Sequence, residues 1–149
     1  MLEIFSPFIS SGLGVDLSLD MLTMARSNLS DSGVNNCQVR LGDMYDLPVV
    51  GISQDLVVIH QVLHFADDPA RAVREASRVL RVSGEIFLVD FAPHDQEFLR
   101  DEHAHRRLGF SNEEVIAWSA AAGLSVEETR VLDGGKLNIS IWRLKKPTQ

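Results

Sequence analysis

The chain has 149 residues, 45% hydrophobic and 23% charged, which suits about one ordinary domain with a core of its own. Fourteen basic residues against 21 acidic ones leave a net charge of −7, and no basic tract offers the footprint for a nucleic-acid backbone or an anionic membrane surface. The single cysteine, Cys37, excludes an intramolecular disulfide framework and a cysteine-rich zinc site, and fits a reducing, cytoplasmic compartment.

The opening stretch MLEIFSPFISSG has no basic n-region and does not read as a signal peptide. No run approaches the ~18 apolar residues of a membrane span, and neither repeats nor a linker-like shift divides the sequence. One domain over 1–149 is expected, with no membrane and no nucleic acid among its partners.

Leu2, Phe5 and Phe8 or Ile9 recur at helical spacing, like the end of a helix. Leu13, Val15 and Leu17 then alternate as a strand, with Asp16 near its carboxyl end. Ser18 is an N-cap for a helix with Met21, Leu22, Ala25 and Leu29 on its apolar face, and Gly33 stops it. Cys37, Val39 and Leu41 form a second alternating strand, ending at Gly42 and Asp43. Residues 44–54, with Pro48 and Gly51, read as an irregular connection. Leu56-Val57-Val58-Ile59 is a continuous apolar run that suits a strand covered on both faces. Asp68 as N-cap and Pro69 at the first helical position open a helix with Ala72, Val73, Ala76, Val79 and Leu80 on one face, closed by Gly84. Ile86-Phe87-Leu88-Val89 is another doubly covered strand, ending at Asp90. After Pro93 a polar helix carries Phe98, Leu99 and several histidines. Ser111 and Glu114 make a capping box for a helix bearing Val115, Trp118, Ser119 and Ala122, stopped by Gly123. Strands at about 124–132 and 137–142, joined by Asp133-Gly134-Gly135, form a hairpin.

Buried strands alternating with helices predict an α/β fold, a mostly parallel sheet whose last hairpin is antiparallel. Ligands of such sheets sit at the carboxyl ends of the strands, which here carry Asp16, Asp43, His60 and Asp90. Asp16 either binds the ribose hydroxyls of a nucleotide-like cofactor or caps the next helix. Asp43 either accepts from an adenine amino group or shapes a turn. The five histidines raise a metal reading, with His60 and His64 at i, i+4 and His103-Ala104-His105 beside Asp101 and Glu102. Alternate residues diverge around a helix and no third ligand is evident, so no metal is expected. The helix over 95–107 then reads as a solvated cover, Met21, Met24 and Met44 as packing residues, and Trp118 and Trp142 as core or edge packing.

In order along the chain stand Leu13-Gly14-Val15-Asp16-Leu17-Ser18, Gly42-Asp43-Met44 with Leu47-Pro48, Asp55-Leu56-Val57-Val58, His60-Gln61-Val62-Leu63-His64-Phe65 and Leu80-Arg81-Val82-Ser83-Gly84-Glu85. This pattern resembles the class I S-adenosylmethionine-dependent methyltransferases of the small-molecule type, over essentially the whole chain. The stretch from Asp90-Phe91-Ala92-Pro93-His94-Asp95 to Gly109-Phe110-Ser111 looks like the branch fused to winged-helix regulators of the arsenic-repressor type. The resemblance implies a Rossmann-like methyltransferase sheet, S-adenosylmethionine as cofactor, and methyl transfer to a small-molecule acceptor. It also implies site residues: Asp16 for the ribose hydroxyls, Leu17 and Met21 near the cofactor, Asp43 with Met44 at the adenine, and His60 and Gln61 facing the sulfonium. Such a transfer is an in-line displacement that needs positioning and charge stabilisation rather than a covalent nucleophile. A base is required only if the acceptor must lose a proton, and His64 and His60 are the candidates.

The family's first strand and glycine-rich loop have no counterpart here, since Ser11-Gly12-Leu13-Gly14 sits one element too late. The chain is therefore expected to be an N-terminally truncated domain. The strands ending at Asp16 and His60 would then be separated by ~9–10 Å unless they close up or another chain fills the slot. A homo-oligomer is expected on that ground, with a non-catalytic, cofactor-deficient sensing or dimerisation domain as the alternative function. A nicotinamide dehydrogenase shares the fold logic, but the G-x-G-x-x-G fingerprint is absent.

Overall fold

In the computed structural model, which describes residues 1–148, the two early alternating stretches pair with each other. A short helix, α1 (Leu2–Phe5), precedes them. β1 (Gly12–Asp16) lies parallel to β2 (Cys37–Leu41), with Asp16 opposite Leu41, and α2 (Leu19–Asp31) connects the two. Ser18 caps α2 as its sequence position predicts, its Oγ accepting the Met21 N–H at 3.2 Å. Asn36 ties the N-terminal turn to the start of β2, donating to Ser6 O and Ile9 O at 2.8 and 2.9 Å. These elements make one compact unit, Met1–Pro48.

The second unit, described over 49–148, holds the remaining strands. β3 (Gln54–His60) leads through α3 (Pro69–Val79) to a parallel partner, β4 (Leu80–Phe91). Two helices follow, α4 (Phe98–His103) and α5 (Asn112–Ala121), and then the hairpin of β5 (Ser125–Leu132) and β6 (Ile139–Lys145). β6 lies antiparallel to both β4 and β5, giving the order β3-β4-β6-β5. The α/β class and the antiparallel C-terminal hairpin are those the sequence predicts. The strands form two sheets, one in each unit.

Register explains the core of the second unit. Ile86, Leu88 and Asp90 of β4 stand opposite Leu144, Trp142 and Ser140 of β6, and all six are buried. The Trp142 Nε1–H donates to Asn112 Oδ1 at 2.8 Å, so the start of α5 lies over this face. α3 packs on α5, and Ser77 Oγ donates to Ala122 O at 2.9 Å. Both expected caps are present: Asp68 Oδ1 accepts the Arg71 N–H at 3.0 Å, and Ser111 with Glu114 closes a full capping box.

Tertiary context overrides several local expectations. β4 alternates buried with half-buried residues from Gly84 onward and β3 has no fully buried one, so neither is covered equally on both faces. α3 ends at Val79 rather than near Gly84, because Leu80 turns extended (φ −77°, ψ 136°) to pair with Gln54. Gly84 instead serves packing: a Cβ there would lie 2.8 Å from Leu80 Cγ. The helix expected over 95–107 shrinks to the six residues of α4, since Ala104 at φ 55° reverses the chain. Met21 and Met24 do not pack in a core; they are 54% and 59% exposed. Among the described residues no helix is long and apolar enough to cross a membrane.

Candidate functional site

β1 ends at Asp16 and the chain turns directly into α2. Asp16 is exposed, and its Oδ1 accepts the Ser18 N–H at 2.8 Å, which fixes the carboxylate without using its second oxygen. Leu17 and Met21 are exposed nearby in sequence, and Met21 lies in the first turn of the helix. The Gly42 N–H donates to Asp16 O at 3.0 Å, so the turn after β2 starts against the end of β1. Gly42 is required there, because a Cβ would lie 2.6 Å from Pro48 Cδ and 2.8 Å from Val15 Cγ1. Asp43 is half-buried with its Oδ1 accepting the Tyr45 N–H at 2.9 Å, and half-buried Met44 follows it. One end of this small sheet thus gathers two ordered carboxylates with apolar side chains beside them. That set can accept hydrogen bonds from hydroxyl and amino groups while covering a flat ring.

In the second unit β3 ends at His60, which is exposed and stands opposite Val89. Gln61 takes φ 49°, a left-handed conformation costly for a side-chain-bearing residue, and its N–H donates to Val89 O at 2.7 Å. The chain then enters a 3-10 turn, Leu63–Phe65, in which His64 is only 3% exposed. Asp90, at the end of β4, is fully buried and receives four hydrogen bonds. Its Oδ1 lies 2.8 Å from His64 Nδ1 and accepts the Phe91 N–H, also at 2.8 Å. Its Oδ2 accepts the Leu63 and His64 N–H groups at 3.1 and 3.3 Å. The His64 carbonyl in turn accepts the Arg106 and Arg107 N–H groups at 2.9 and 3.1 Å.

Further rings surround this pair. His105 lies beside His64 with centroids 4.1 Å apart and planes at 31°, and Phe91 is 5.1 Å from His64. Gly109, at φ 82°, runs so close to the Ala92 carbonyl that no Cβ fits, which lets the Phe110 N–H reach Phe91 O at 2.9 Å. His94 Nε2 and His105 Nδ1 are buried without hydrogen-bond partners. Burial pushes the pKa of both imidazoles below the usual histidine value; Asp95 opposes this at His94, whereas the neighbouring His64 adds to it at both. Both rings are accordingly neutral at pH 7.

Of the residues the sequence singles out, Asp16, Leu17, Met21, Asp43 and Met44 lie in the first unit, and His60, Gln61 and His64 in the second. His60 and His64 share no helix: one ends a strand and the other sits in the 3-10 turn. Sequence reasoning missed two partners of His64. The sequence sets Asp90 among the strand ends where ligands sit, yet it is buried; a carboxylate closing an apolar strand needs donors, and that is the available signal. His105 was assigned to a solvated helix, and no local signal marks it as inward-facing. Among the described residues no three His, Cys, Asp or Glu side chains are arranged to hold a metal ion.

The sequence matches the methyltransferase domain family over residues 2–88. It is 36% identical over 92 residues to YcgJ, an uncharacterised methyltransferase of Bacillus subtilis, covering 61% of this chain and 36% of that protein. It is 32% identical over 78 residues to the arsenite methyltransferase of Halobacterium salinarum, covering 52% of this chain and 20% of that one. The chain thus spans well under half the length of both relatives. A solved structure of geranyl diphosphate methyltransferase in complex with S-adenosylmethionine superposes with a TM-score of 0.82 at 14% identity, covering 98% of this chain and 73% of that one. At that identity the likeness concerns the fold.

Proposed function

This chain belongs to the class I S-adenosylmethionine-dependent methyltransferase family, and we propose that it serves methyl transfer from S-adenosylmethionine to a small-molecule acceptor. The observation that carries this reading is Asp16: an exposed carboxylate at the carboxyl end of a parallel strand, held by the Ser18 N–H. It is suited to accept from both ribose hydroxyls. Asp43 would receive the adenine amino group, with Met44, Leu17 and Met21 as the apolar surface for the ring. His60 and Gln61, at the end of β3, would face the sulfonium. The residues present thus fit the adenosine part of the cofactor. When bound, the cofactor supplies a methyl group on a cationic sulfur, so the protein needs no covalent nucleophile. What the chain itself contributes is orientation, and proton acceptance through His64.

The arsenite acceptor of the Halobacterium relative is not carried over. Arsenic(III) is a soft centre that takes thiolates, and Cys37, at the start of β2, is the one thiol in the sequence. β1 and β3 each have a strand of their own unit on one edge only, which supports self-association of the chain by strand pairing. Sedimentation of a monomer at tens of micromolar would remove that part of the reading.

Calorimetric titration with S-adenosylmethionine tests the cofactor assignment. Asp16→Ala should raise Kd at least about tenfold, the loss of one charge-assisted hydrogen bond being ~1.5–3 kcal/mol. An unchanged Kd would reduce Asp16 to a helix-capping neighbour.

A further inference from the structure

We propose that Asp90 is a positioning residue that makes His64 the proton acceptor for a methyl acceptor attacking through a hydroxyl group. This rests on the methyl-transfer reading above and extends it to the acceptor's chemistry. Each Asp90 oxygen already accepts a backbone N–H, Phe91's on Oδ1 and those of Leu63 and His64 on Oδ2. The carboxylate is therefore the acceptor toward His64 as well, and His64 Nδ1 is the donor at 2.8 Å. In the singly protonated ring the proton is thereby assigned to Nδ1, and Nε2 keeps the lone pair.

Burying a carboxylate is costly unless its lone pairs are filled, and four donors fill these. A helix cap or a turn would need no such burial. The imidazole is also held in place. Its residue is pinned at the N–H by Asp90 and at the carbonyl by Arg106 and Arg107, and Phe65 and His105 each bring a ring centroid within 4.1 Å of it. A base oriented in this way has a use only if the acceptor gives up a proton.

That requirement selects the acceptor class. A carboxylate offers its electron pair at neutral pH without help, and a thiol is already partly ionised. An ammonium acceptor would seek a free carboxylate, and that of Asp90 is saturated. A hydroxyl is the group whose oxygen becomes a competent nucleophile as its proton leaves. The surroundings agree, since His105 and His94 are neutral at pH 7 and each buries one nitrogen that has no partner. In the balanced step the acceptor oxygen bonds to the methyl carbon, the electron pair of the breaking carbon–sulfur bond stays on sulfur, and the hydroxyl proton moves to His64 Nε2. Asp90 then faces an imidazolium.

Nitrogen-15 spectra of the imidazoles in the whole chain test this without any cofactor. His64 should appear as the Nδ1–H tautomer. In Asp90→Asn the side-chain amide can donate to Nδ1, and the proton should relocate to Nε2. Phenol should shift the His64 Nε2 resonance in a saturable way, whereas anisole, which has no hydroxyl, should leave it in place. An Nε2–H tautomer in the unsubstituted chain would overturn the assignment of Asp90, and this readout stands even if Asp90→Asn fails to fold. Equal responses to phenol and anisole would overturn the hydroxyl-acceptor class. The expected tautomer in a chain that takes up no S-adenosylmethionine would count against the methyl-transfer reading and not against the pair.

Discussion

The two units are held together in different ways. In Met1–Pro48 only Leu22 and Leu29 are buried, while Phe8 is 83% exposed and Ile4 67%. In the second unit Trp142, Phe110, Leu63, Leu80, Ile86, Leu88 and Leu144 are all sealed from solvent at 1% or less. A unit of this smaller size lacks the volume to own a core, so its order rests on strand pairing, caps and close glycine packing. The residues proposed to hold the adenosine part thus sit on the weaker frame, and the proton-handling pair is built into the stronger one. Precision matters most where a proton is passed, and Asp90 and His64 are both buried.

The largest expected effect lies in the core that the first unit lacks. Trp142→Ala should cost ~3–5 kcal/mol in a denaturant melt, the usual toll of emptying a buried aromatic site. Leu22→Ala should cost less, because it empties a smaller buried site in a unit with few other buried apolar side chains to lose contact with; equal costs would break the contrast between the units. A smaller effect tests the first unit's dependence on close packing. Gly42→Ala should destabilise by ~1–3 kcal/mol, since the added methyl meets the Pro48 ring and Val15. Hydrogen exchange should then accelerate around Leu41–Asp46 and stay unchanged along β4.

The smallest effect is a pH dependence, and it should separate the units. All five histidines follow Val49, so the first unit has none to titrate between pH 5 and 7. Burial lowers the His94 and His105 pKa values from 6.5, so the unfolded chain binds protons more readily than the folded one. Stability of the second unit should be complete above pH 6.5 and should decline as pH falls from there through the lowered folded values. Asp95 and Glu97 temper this at His94, and Asp90 does so at His105, whereas the neighbouring histidines reinforce it. Thermal melts between pH 7.5 and 5.5 would show the slope, and His105→Phe should flatten it. A slope unaltered in that variant would place its origin elsewhere.

The sequence by itself determined whatever depends on neighbours a few residues apart. Ser18, Asp68 with Pro69, and Ser111 with Glu114 cap the helices they were expected to cap, because a cap bonds within one turn. The C-terminal hairpin was legible for the same reason, as was Asp16 at a strand-to-helix turn. Tertiary structure decided the rest. Leu80 reads as helical by spacing, yet pairing with Gln54, 26 residues earlier, makes it a strand. His105 faces inward because Ala104 reverses the backbone and Leu99 O captures the His105 N–H, and periodicity carries no trace of such a reversal. Asp90 is a buried hub only because Leu63 and His64 bring their N–H groups to it from the end of β3. A carboxylate's role is set by the donors that reach it, and those donors are assembled by the sheet and not by the local chain.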